Sequence, residues 1–338
     1  MYGWKWYLKD LNQDKDIKVF STFSCGGGST MGYKRAGFQV LGNVEIDPRI
    51  NAVYKANHHP KYNYLMDLRD FNKIENINIP KELFHLDILD GSPPYSVFSM
   101  AGDREKNWNR EKKFREGQKK QKLDDLFFVF LDTVEKLQPK VVIAENVAGL
   151  LQGNAKGYVN EIIKRFKAIG HDVQLFKLNA AFMNVPQVRE RVFFIANNQH
   201  YPKLKLNFNE KPILFGQVRS EKGIPVRKDT NCYKLLQKRQ PGDCDLRMIH
   251  RRVDGRETQF NDKIISDNRV CFTIAASGGF FRYYDATKFS QHDYVNVSTF
   301  PQDYNFMDQS AHYICGMSVP PNMTANIATE VYKQWFSK

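Results

Sequence analysis

The sequence predicts an α/β protein in which a doubly wound parallel sheet carries a smaller, loop-rich lobe. Short apolar runs alternate with helical patterns through the first half of the chain, and three consecutive glycines follow the first run. From about residue 197 the sequence becomes irregular and polar, with four prolines between residues 202 and 241. We therefore predict one domain over residues 1–196, a second lobe over 197–305, and a C-terminal segment, 306–338, that returns to the first domain.

Four strands are predicted in the first half, at residues 17–23, 40–46, 86–90 and 140–144. Apolar residues at helical spacing predict helices at 124–137 and 158–169, the second ending at Gly170. Helix-sized connections between buried strands favour right-handed crossovers. The runs 173–178 and 192–196 have no helix between them and are expected to close the sheet as an antiparallel pair, and 323–336 is predicted as a final helix.

Composition narrows the classes of partner and location. The 338 residues include 50 Lys and Arg against 37 Asp and Glu, and the resulting net charge of +13 favours a polyanionic partner. No apolar run reaches the roughly 20 residues that span a bilayer, and the first residues lack the apolar core of a signal peptide. The five cysteines contain no Cys-x-x-Cys pair. We expect a cytoplasmic protein with no membrane partner, no zinc or other metal site, and no disulfide framework.

The glycine run predicts a site for a nucleoside cofactor. Gly26, Gly27 and Gly28 let the backbone turn sharply after a strand, and Glu45, about 20 residues on, can accept hydrogen bonds from ribose hydroxyls. Asp67 is a candidate acceptor for an adenine amino group, although an Asp in a loop also serves as a turn or cap residue. A nicotinamide dehydrogenase is the alternative from another class, but the spaced G-x-G-x-x-G pattern of dinucleotide sites is missing.

The order of the motifs resembles that of the DNA cytosine-C5 methyltransferase family over nearly the whole chain. The matching segments are FSTFSCGGGSTMGYKRAGF (20–38), DGSPPYSVFSMAG (90–102), AENV (144–147), QVRER (187–191), TFPQDY (299–304) and GMSVP (316–320). This resemblance implies a Rossmann-like catalytic domain, with a target-recognition lobe in residues 197–305. It also implies S-adenosyl-L-methionine as cofactor, S-adenosyl-L-homocysteine as product, and double-stranded DNA with a flipped base as substrate. We further expect a monomer, with a cognate restriction endonuclease as a possible partner.

The resemblance also assigns site residues. It implies that Phe23 packs on the adenine, and that the base is held at the end of the fourth predicted strand by Glu145. Asn146 is expected to fix the neighbouring loop, and Met317 departs from the asparagine of the family. The cofactor contacts implied are Phe23, Cys25, Gly26, Gly27, Gly28, Glu45, Ile46, Asp67, Leu68 and Pro93, and the catalytic and base contacts are Ser92, Pro94, Tyr95, Glu145, Arg189 and Arg191.

Tyr95 stands where the family has the cysteine whose thiolate adds to the cytosine ring. A phenol with a pKa of about 10 is a poor and bulky substitute, so ordinary C5 methylation should fail. Ser-Pro-Pro-Tyr is the motif of amino-methyltransferases, and an amine needs orientation rather than covalent help. Three interpretations follow: methylation of N4 of cytosine or N6 of adenine, a C5 enzyme disabled by the tyrosine, or a non-catalytic DNA-binding relative.

Two basic segments are predicted to hold DNA. The segment 104–122 carries nine basic residues against three glutamates, with Trp108 and Phe114 between them, and is interpreted as a lid that closes on phosphates. In the lobe, arginines cluster near His250 and Gln259 and suit base edges in the major groove. The DNA contacts expected are Ser99, Arg104, Lys112, Lys113, Lys119, Lys120, Arg247, Arg251 and Arg252, with Arg256 in the same cluster.

Overall fold

The computed structural model describes residues 2–94, 125–152, 155–255 and 262–337, and the chain divides into two compact units. The sheet unit comprises Leu11–Leu178, Glu190–Asn207 and Thr324–Lys338. The lobe unit comprises Met1–Asp10, Asn179–Arg189 and Phe208–Met323. The domain boundaries predicted from the sequence, at residues 196 and 305, are placed from motifs and composition, whereas these units are defined by contacts and are discontinuous in sequence. The predicted boundaries stay a prediction.

A seven-stranded sheet organises the sheet unit, in the order β3-β2-β1-β4-β5-β7-β6. Neighbouring strands from β3 to β5 run parallel, whereas β7 runs antiparallel to β5 and β6 lies at the edge beside β7. The strands are β1 (Lys18–Thr22), β2 (Gln39–Glu45), β3 (Tyr62–Leu65), β4 (Ile88–Gly91), β5 (Val141–Val147), β6 (Asp172–Asn179) and β7 (Glu190–Asn197). The predicted α/β class and wound sheet are confirmed, and β3 is an addition that the sequence did not predict.

Helices pack on this sheet because their apolar faces complete its core. Asp47 caps α2, accepting from the amides of Arg49 and Ile50, and Pro48 occupies its first turn. The core gathers Phe20, Phe71 and Phe130 with other apolar residues of strands and helices. The helices are α1 (Gly28–Arg35), α2 (Pro48–His58), α3 (Leu68–Lys73), α4 (Leu126–Leu137) and α5 (Ala155–Ala168), with 3-10 turns at Asn76–Asn78, Lys81–Phe84 and Ala148–Leu151.

The lobe unit is built from short elements, and two apolar clusters lie among its described residues. One contains Phe215 and Phe289, whose rings stack at 4.9 Å, and the other contains Leu236 and Ile249. Arg282 is fully buried between Asp285 and Asp293 and donates to the carbonyl of Ser220. The elements are 3-10 turns Leu8–Asp10 and Ala180–Phe182, helices α6 (Phe215–Val218), α7 (Asn231–Leu236), α8 (Leu246–Asp254), α9 (Gln291–Val297) and α10 (Ala311–Met317), and the parallel strands β8 (Lys263–Ile265) and β9 (Phe280–Arg282).

The chain ends in helix α11 (Pro321–Val331), which a π-helical turn over Tyr332–Phe336 extends. The helix predicted at 323–336 therefore falls within these two elements. Within the described ranges, every helix is too short or too polar to cross a membrane.

Candidate active site

The turn after β1 brings backbone over the strand ends in a left-handed conformation. Phe23, Cys25 and Gly27 have φ angles of +51°, +46° and +80°, and the amide of Gly27 donates to the carbonyl of Ser24 at 2.8 Å. Non-glycine residues rarely adopt such angles, so this turn stores backbone strain of the kind found at ligand sites. A Cβ at position 27 would lie 2.1 Å from Nε2 of His58, so only glycine is compatible with this packing.

Glu45 ties the end of β2 to this turn. Its Oε2 accepts from the amide of Cys25 at 2.9 Å, and its Oε1 accepts from the amides of Ile46 and Asp47, each at 2.9 Å. Burial raises the pKa of Glu45, and the three amide hydrogen bonds oppose that rise. Two carboxylate oxygens offer about four acceptor sites, so one remains on Oε2. The arrangement fits the ribose contact predicted for Glu45, which stays a prediction.

Asp67 lies just beyond the end of β3, the strand that neighbours β2, and directly precedes α3. Its Oδ1 accepts from the amide of Arg69 at 2.8 Å and its Oδ2 lies 3.2 Å from the Arg69 guanidinium, so Asp67 caps α3. Asp67 therefore has the capping role that its position in the sequence allowed, and its contact with adenine stays a prediction. Leu68 is buried in the core, and Phe23 is half-buried against it.

A cluster of buried and half-buried amides supports the glycine turn and was not predicted. Asn43 donates to Oγ of Ser24 at 2.9 Å and to Oδ1 of Asn51 at 3.2 Å, and Asn63 donates to Oδ1 of Asn43 at 2.7 Å. Buried polar groups are costly unless they are hydrogen-bonded, so this network fixes β2, β3 and α2 relative to the turn. The one signal in the sequence was an asparagine inside the apolar run of β2.

Asp90, on β4, is a second buried group that the motifs did not single out. Its Oδ2 accepts from Oγ of Ser21 at 2.8 Å and its Oδ1 accepts from the hydroxyl of Tyr33 at 3.0 Å. Burial raises the pKa of Asp90 to about 7, and the charge of Glu145 adds to this rise. Asp90 immediately precedes the segment Gly91–Pro94, so it lies at the base of the candidate catalytic loop.

That loop is anchored from β5. Asn146, which is buried, donates from Nδ2 to the carbonyl of Pro93 at 3.1 Å and accepts on Oδ1 from the amide of Val147. The contact ties Pro93, at the start of the loop, to β5 and agrees with the role expected for Asn146, which stays a prediction. Pro93 is buried, whereas Ser92 and Pro94 are half-buried. The remaining residues predicted here, Tyr95, Ser99, Arg104, Lys112, Lys113, Lys119 and Lys120, lie outside the described residues, as do Trp108 and Phe114.

Glu145 and Arg191 form an ion pair at the strand ends of β5 and β7. Nε of Arg191 lies 2.7 Å from Oε1 of Glu145, and their side chains are 14% and 13% exposed. The antiparallel register pairs Arg191 with Val147, two residues from Glu145 on the same strand face. A carboxylate accepts from amino groups and a guanidinium donates to carbonyl oxygens, so the pair suits the Watson–Crick edge of a base.

Arg189, predicted beside Arg191, has a different environment. It belongs to the lobe unit and is 2% exposed, and its guanidinium donates to the carbonyls of Ile274 at 2.9 Å and Gly316 at 3.0 Å. Gln187 likewise bridges within the lobe, accepting from the amide of Ile274 and donating to the carbonyl of Val297. These contacts account for the burial of Arg189 within the lobe, and Arg191 is the arginine that pairs with Glu145.

The three lobe arginines proposed for DNA differ in their engagement. Arg252 forms a bidentate ion pair with Asp243, at 2.7 and 2.8 Å, and donates to the carbonyl of Lys238. Arg247 lies 4.0 Å from Asp245 with its side chain 45% exposed, and Arg251 lies in the last turn of α8. Arg256 and Gln259 fall outside the described residues. Their contacts with DNA stay predictions, and the Arg247 side chain, 45% exposed, is more accessible than that of Arg252, which is 35% exposed.

Metal chemistry has no candidate centre here, since the described ranges bring together no three His, Cys, Asp or Glu side chains able to hold an ion. Cys232, Cys244, Cys271 and Cys315 belong to the lobe unit, and the five cysteines, all within the described ranges, are thiols that form no disulfide.

Comparison with known proteins gives consistent results. The family model described as C-5 cytosine-specific DNA methylase matches residues 17–333. The chain is 29% identical to the type II methyltransferase M.NgoPII of Neisseria gonorrhoeae, over 94% of this chain and 96% of that protein. It is 27% identical to M1.HphI of Haemophilus parahaemolyticus, over 98% and 91%. Spodoptera frugiperda DNMT2 superposes with a TM-score of 0.65 at 15% identity, covering 94% of this chain and 100% of that one, and therefore shows the fold alone.

Proposed function

Since the chain belongs to the C-5 cytosine-specific DNA methylase family, which transfers a methyl group from S-adenosylmethionine to DNA, we propose that it methylates an exocyclic amino group. The acceptor is N4 of cytosine or N6 of adenine on a base flipped out of double-stranded DNA. The type II relatives support a role as the modification enzyme of a restriction system. We also propose that the protein acts as a monomer and that a cognate endonuclease is its partner.

The observation that carries this proposal is the distribution of thiols. C5 methylation requires a thiolate that adds to the ring next to the methylated carbon. The single cysteine of the sheet unit is Cys25, in the glycine turn, where its amide binds Glu45, and position 95 is tyrosine. Transfer to an amine needs no such addition. The nitrogen lone pair forms the new N–C bond while the C–S bond breaks and releases S-adenosylhomocysteine, and the methylated nitrogen then loses one hydrogen as a proton to water.

The residues at the end of β4 support amine transfer. The Ser92 hydroxyl and the Pro93 carbonyl are acceptors of the kind that orient an amino group, and Glu145 is a third. Asn146 already donates to the Pro93 carbonyl, but a carbonyl oxygen has two lone pairs and one remains. We propose Tyr95 as the ring that stacks on the flipped base, with Arg191 donating to the base and Glu145 accepting from it.

A second candidate is a C5 enzyme that Tyr95 disables. The match to the C-5 cytosine-specific DNA methylase family favours it, and the Glu145–Arg191 pair and the Asn146–Pro93 contact would serve a C5 site as well as an amine site. The two candidates differ in what replacement of Tyr95 does. In an amino-methyltransferase, Tyr95→Phe keeps most activity because stacking needs the ring, and Tyr95→Ala loses base stacking worth about 1–3 kcal/mol.

The test is therefore a variant series with product identification. Duplex DNA is incubated with labelled cofactor, digested to nucleosides and separated against N4-methylcytosine, N6-methyladenine and 5-methylcytosine standards. Labelled amino-methylated product from the unmodified protein and from Tyr95→Phe supports the proposal. A silent parent, together with 5-methylcytosine from Tyr95→Cys, would establish the disabled C5 enzyme instead. DNA binding without any product from either protein would leave the non-catalytic relative.

A further inference from the structure

Asp90 is a buried carboxylate that has no countercharge among the residues the structure describes. It is 4% exposed, and across the described parts of the chain no Lys, Arg or His side chain forms an ion pair with it. Both of its hydrogen-bond donors, Ser21 and Tyr33, are neutral. Asp87, three residues earlier, shows the usual alternative, because Lys140 lies 2.7 Å from its carboxylate. An unpaired charge in a protein interior is costly. A buried carboxylate that has no cationic side chain beside it therefore suggests that a bound cation is its partner.

The strand order indicates which part of the cofactor would lie next to Asp90. Asp67 follows β3, Glu45 ends β2, Asp90 lies near the end of β4, and Glu145 lies near the end of β5. The order β3-β2-β1-β4-β5 thus runs from the adenine and ribose residues, across the β1–β4 pair, to the residue that holds the base. The part of the cofactor between ribose and acceptor has to cross the carboxyl ends of β1 and β4, where the sheet changes winding direction.

We propose that Asp90 is the counterion of the methyl sulfonium and that it favours the charged methyl donor over the neutral thioether product. S-adenosylmethionine carries a positive charge at sulfur, and S-adenosylhomocysteine carries none there. An ionised Asp90 therefore attracts the donor and leaves the product unaffected, which assists exchange after each transfer. The inference concerns the cofactor and holds whichever atom of the base is methylated.

The surroundings of Asp90 make its charge responsive. Tyr33 on α1 and Ser21 on β1 donate to it, Tyr54 on α2 experiences its field, and Glu145 on β5 repels it. Burial raises the pKa of Asp90 to about 7, so the carboxyl is partly protonated at neutral pH in the free protein. A cation nearby favours the ionised form, and binding of the donor then releases a proton.

Calorimetric titration with each nucleoside separately measures this coupling. We expect the affinity for S-adenosylmethionine to rise about tenfold between pH 5.5 and 8, as expected for a shift of one unit in the pKa of one linked group. The affinity for S-adenosylhomocysteine should change little over the same pH range. Asp90→Asn should bind the donor about tenfold more weakly than the parent at pH 8, and the rise in donor affinity with pH that comes from Asp90 should be lost. Its affinity for the product should lie within about twofold of the parent's affinity.

Controls separate charge from structure. Asp87→Asn makes the same chemical change at the opposite end of β4 and should leave both affinities unchanged. Titration in two buffers of different ionisation enthalpy gives the number of protons released on binding. The parent should release more protons than Asp90→Asn when the donor binds. Because the methionine amino group contributes equally to both proteins, the difference between them reports Asp90 alone. Equal loss of donor and product affinity in Asp90→Asn would overturn the inference, as would equal proton release. If Asp90→Asn does not fold, a pH-independent ratio of the two affinities in the parent overturns it.

Discussion

Alanine at Gly27 tests the packing that holds the cofactor turn. The new Cβ would lie 2.1 Å from Nε2 of His58, and residue 27 would keep a φ of +80°. The left-handed angle alone costs about 1 kcal/mol for a residue with a Cβ. Overpacking against a buried ring adds about 1–3 kcal/mol. We therefore expect Gly27→Ala to lower the free energy of unfolding by about 2–4 kcal/mol, measured by urea denaturation, and to weaken cofactor binding.

Two controls isolate the two contributions. Gly170→Ala has nearly the same φ, +84°, with no atom within 4 Å of the new Cβ, so it should cost only the backbone part of about 1 kcal/mol. The double variant Gly27→Ala/His58→Ala should be more stable than the sum of its single changes by at least about 1 kcal/mol, because removal of the imidazole removes the clash. Additive changes, or equal costs at Gly27 and Gly170, would refute the assigned role of His58.

Three further predictions follow from the site. Glu145→Gln should cut methyl transfer at least tenfold, because a neutral amide neither pairs with Arg191 nor offers two acceptors, whereas the exposed Glu161→Gln should be neutral in the same assay. Neutralising Lys112, Lys113, Lys119 and Lys120 together should reduce the slope of log affinity for DNA against log salt by up to about 3–4, and an unchanged slope would exclude the lid. For Asp90, a folded pKa of about 7 against an ordinary value near 3.8 means that stability falls as pH rises from about 4 to 7; urea titrations should show Asp90→Asn gaining up to roughly 4 kcal/mol relative to the parent over that range, and a constant difference would contradict the burial.

The parallel strands β1, β2, β4 and β5 could be predicted because each contains a short apolar run and most of its residues are buried. β3 could not, since Tyr62–Leu65 has four residues and none of them is fully buried. The short strand is recruited by pairing with β2, which is a tertiary effect that no local pattern encodes.

Some residues of the candidate site could likewise be predicted from the sequence, and others could not. Motif residues such as Glu45 and Glu145 could be named from spacing and resemblance, because each occupies a strand end. Which of Arg189 and Arg191 meets Glu145 depended on the antiparallel register of β5 and β7, which the sequence does not specify. Asp90 escaped notice because its partners lie 57 and 69 residues away in sequence. Partners at such separations become apparent only when the sheet is assembled.

The most direct test of the central claim is the fate of the C5 hydrogen. Duplex DNA synthesised with deuterium at C5 of cytosine is incubated with the unmodified protein and S-adenosylmethionine, digested, and analysed by mass spectrometry. Transfer to an exocyclic amine leaves every C5–D bond intact, and the added methyl group is found on N4 of cytosine or N6 of adenine. Methylated cytosine that has lost its deuterium would contradict the account, because it would show that C5 chemistry proceeds in a chain with tyrosine in place of the catalytic cysteine.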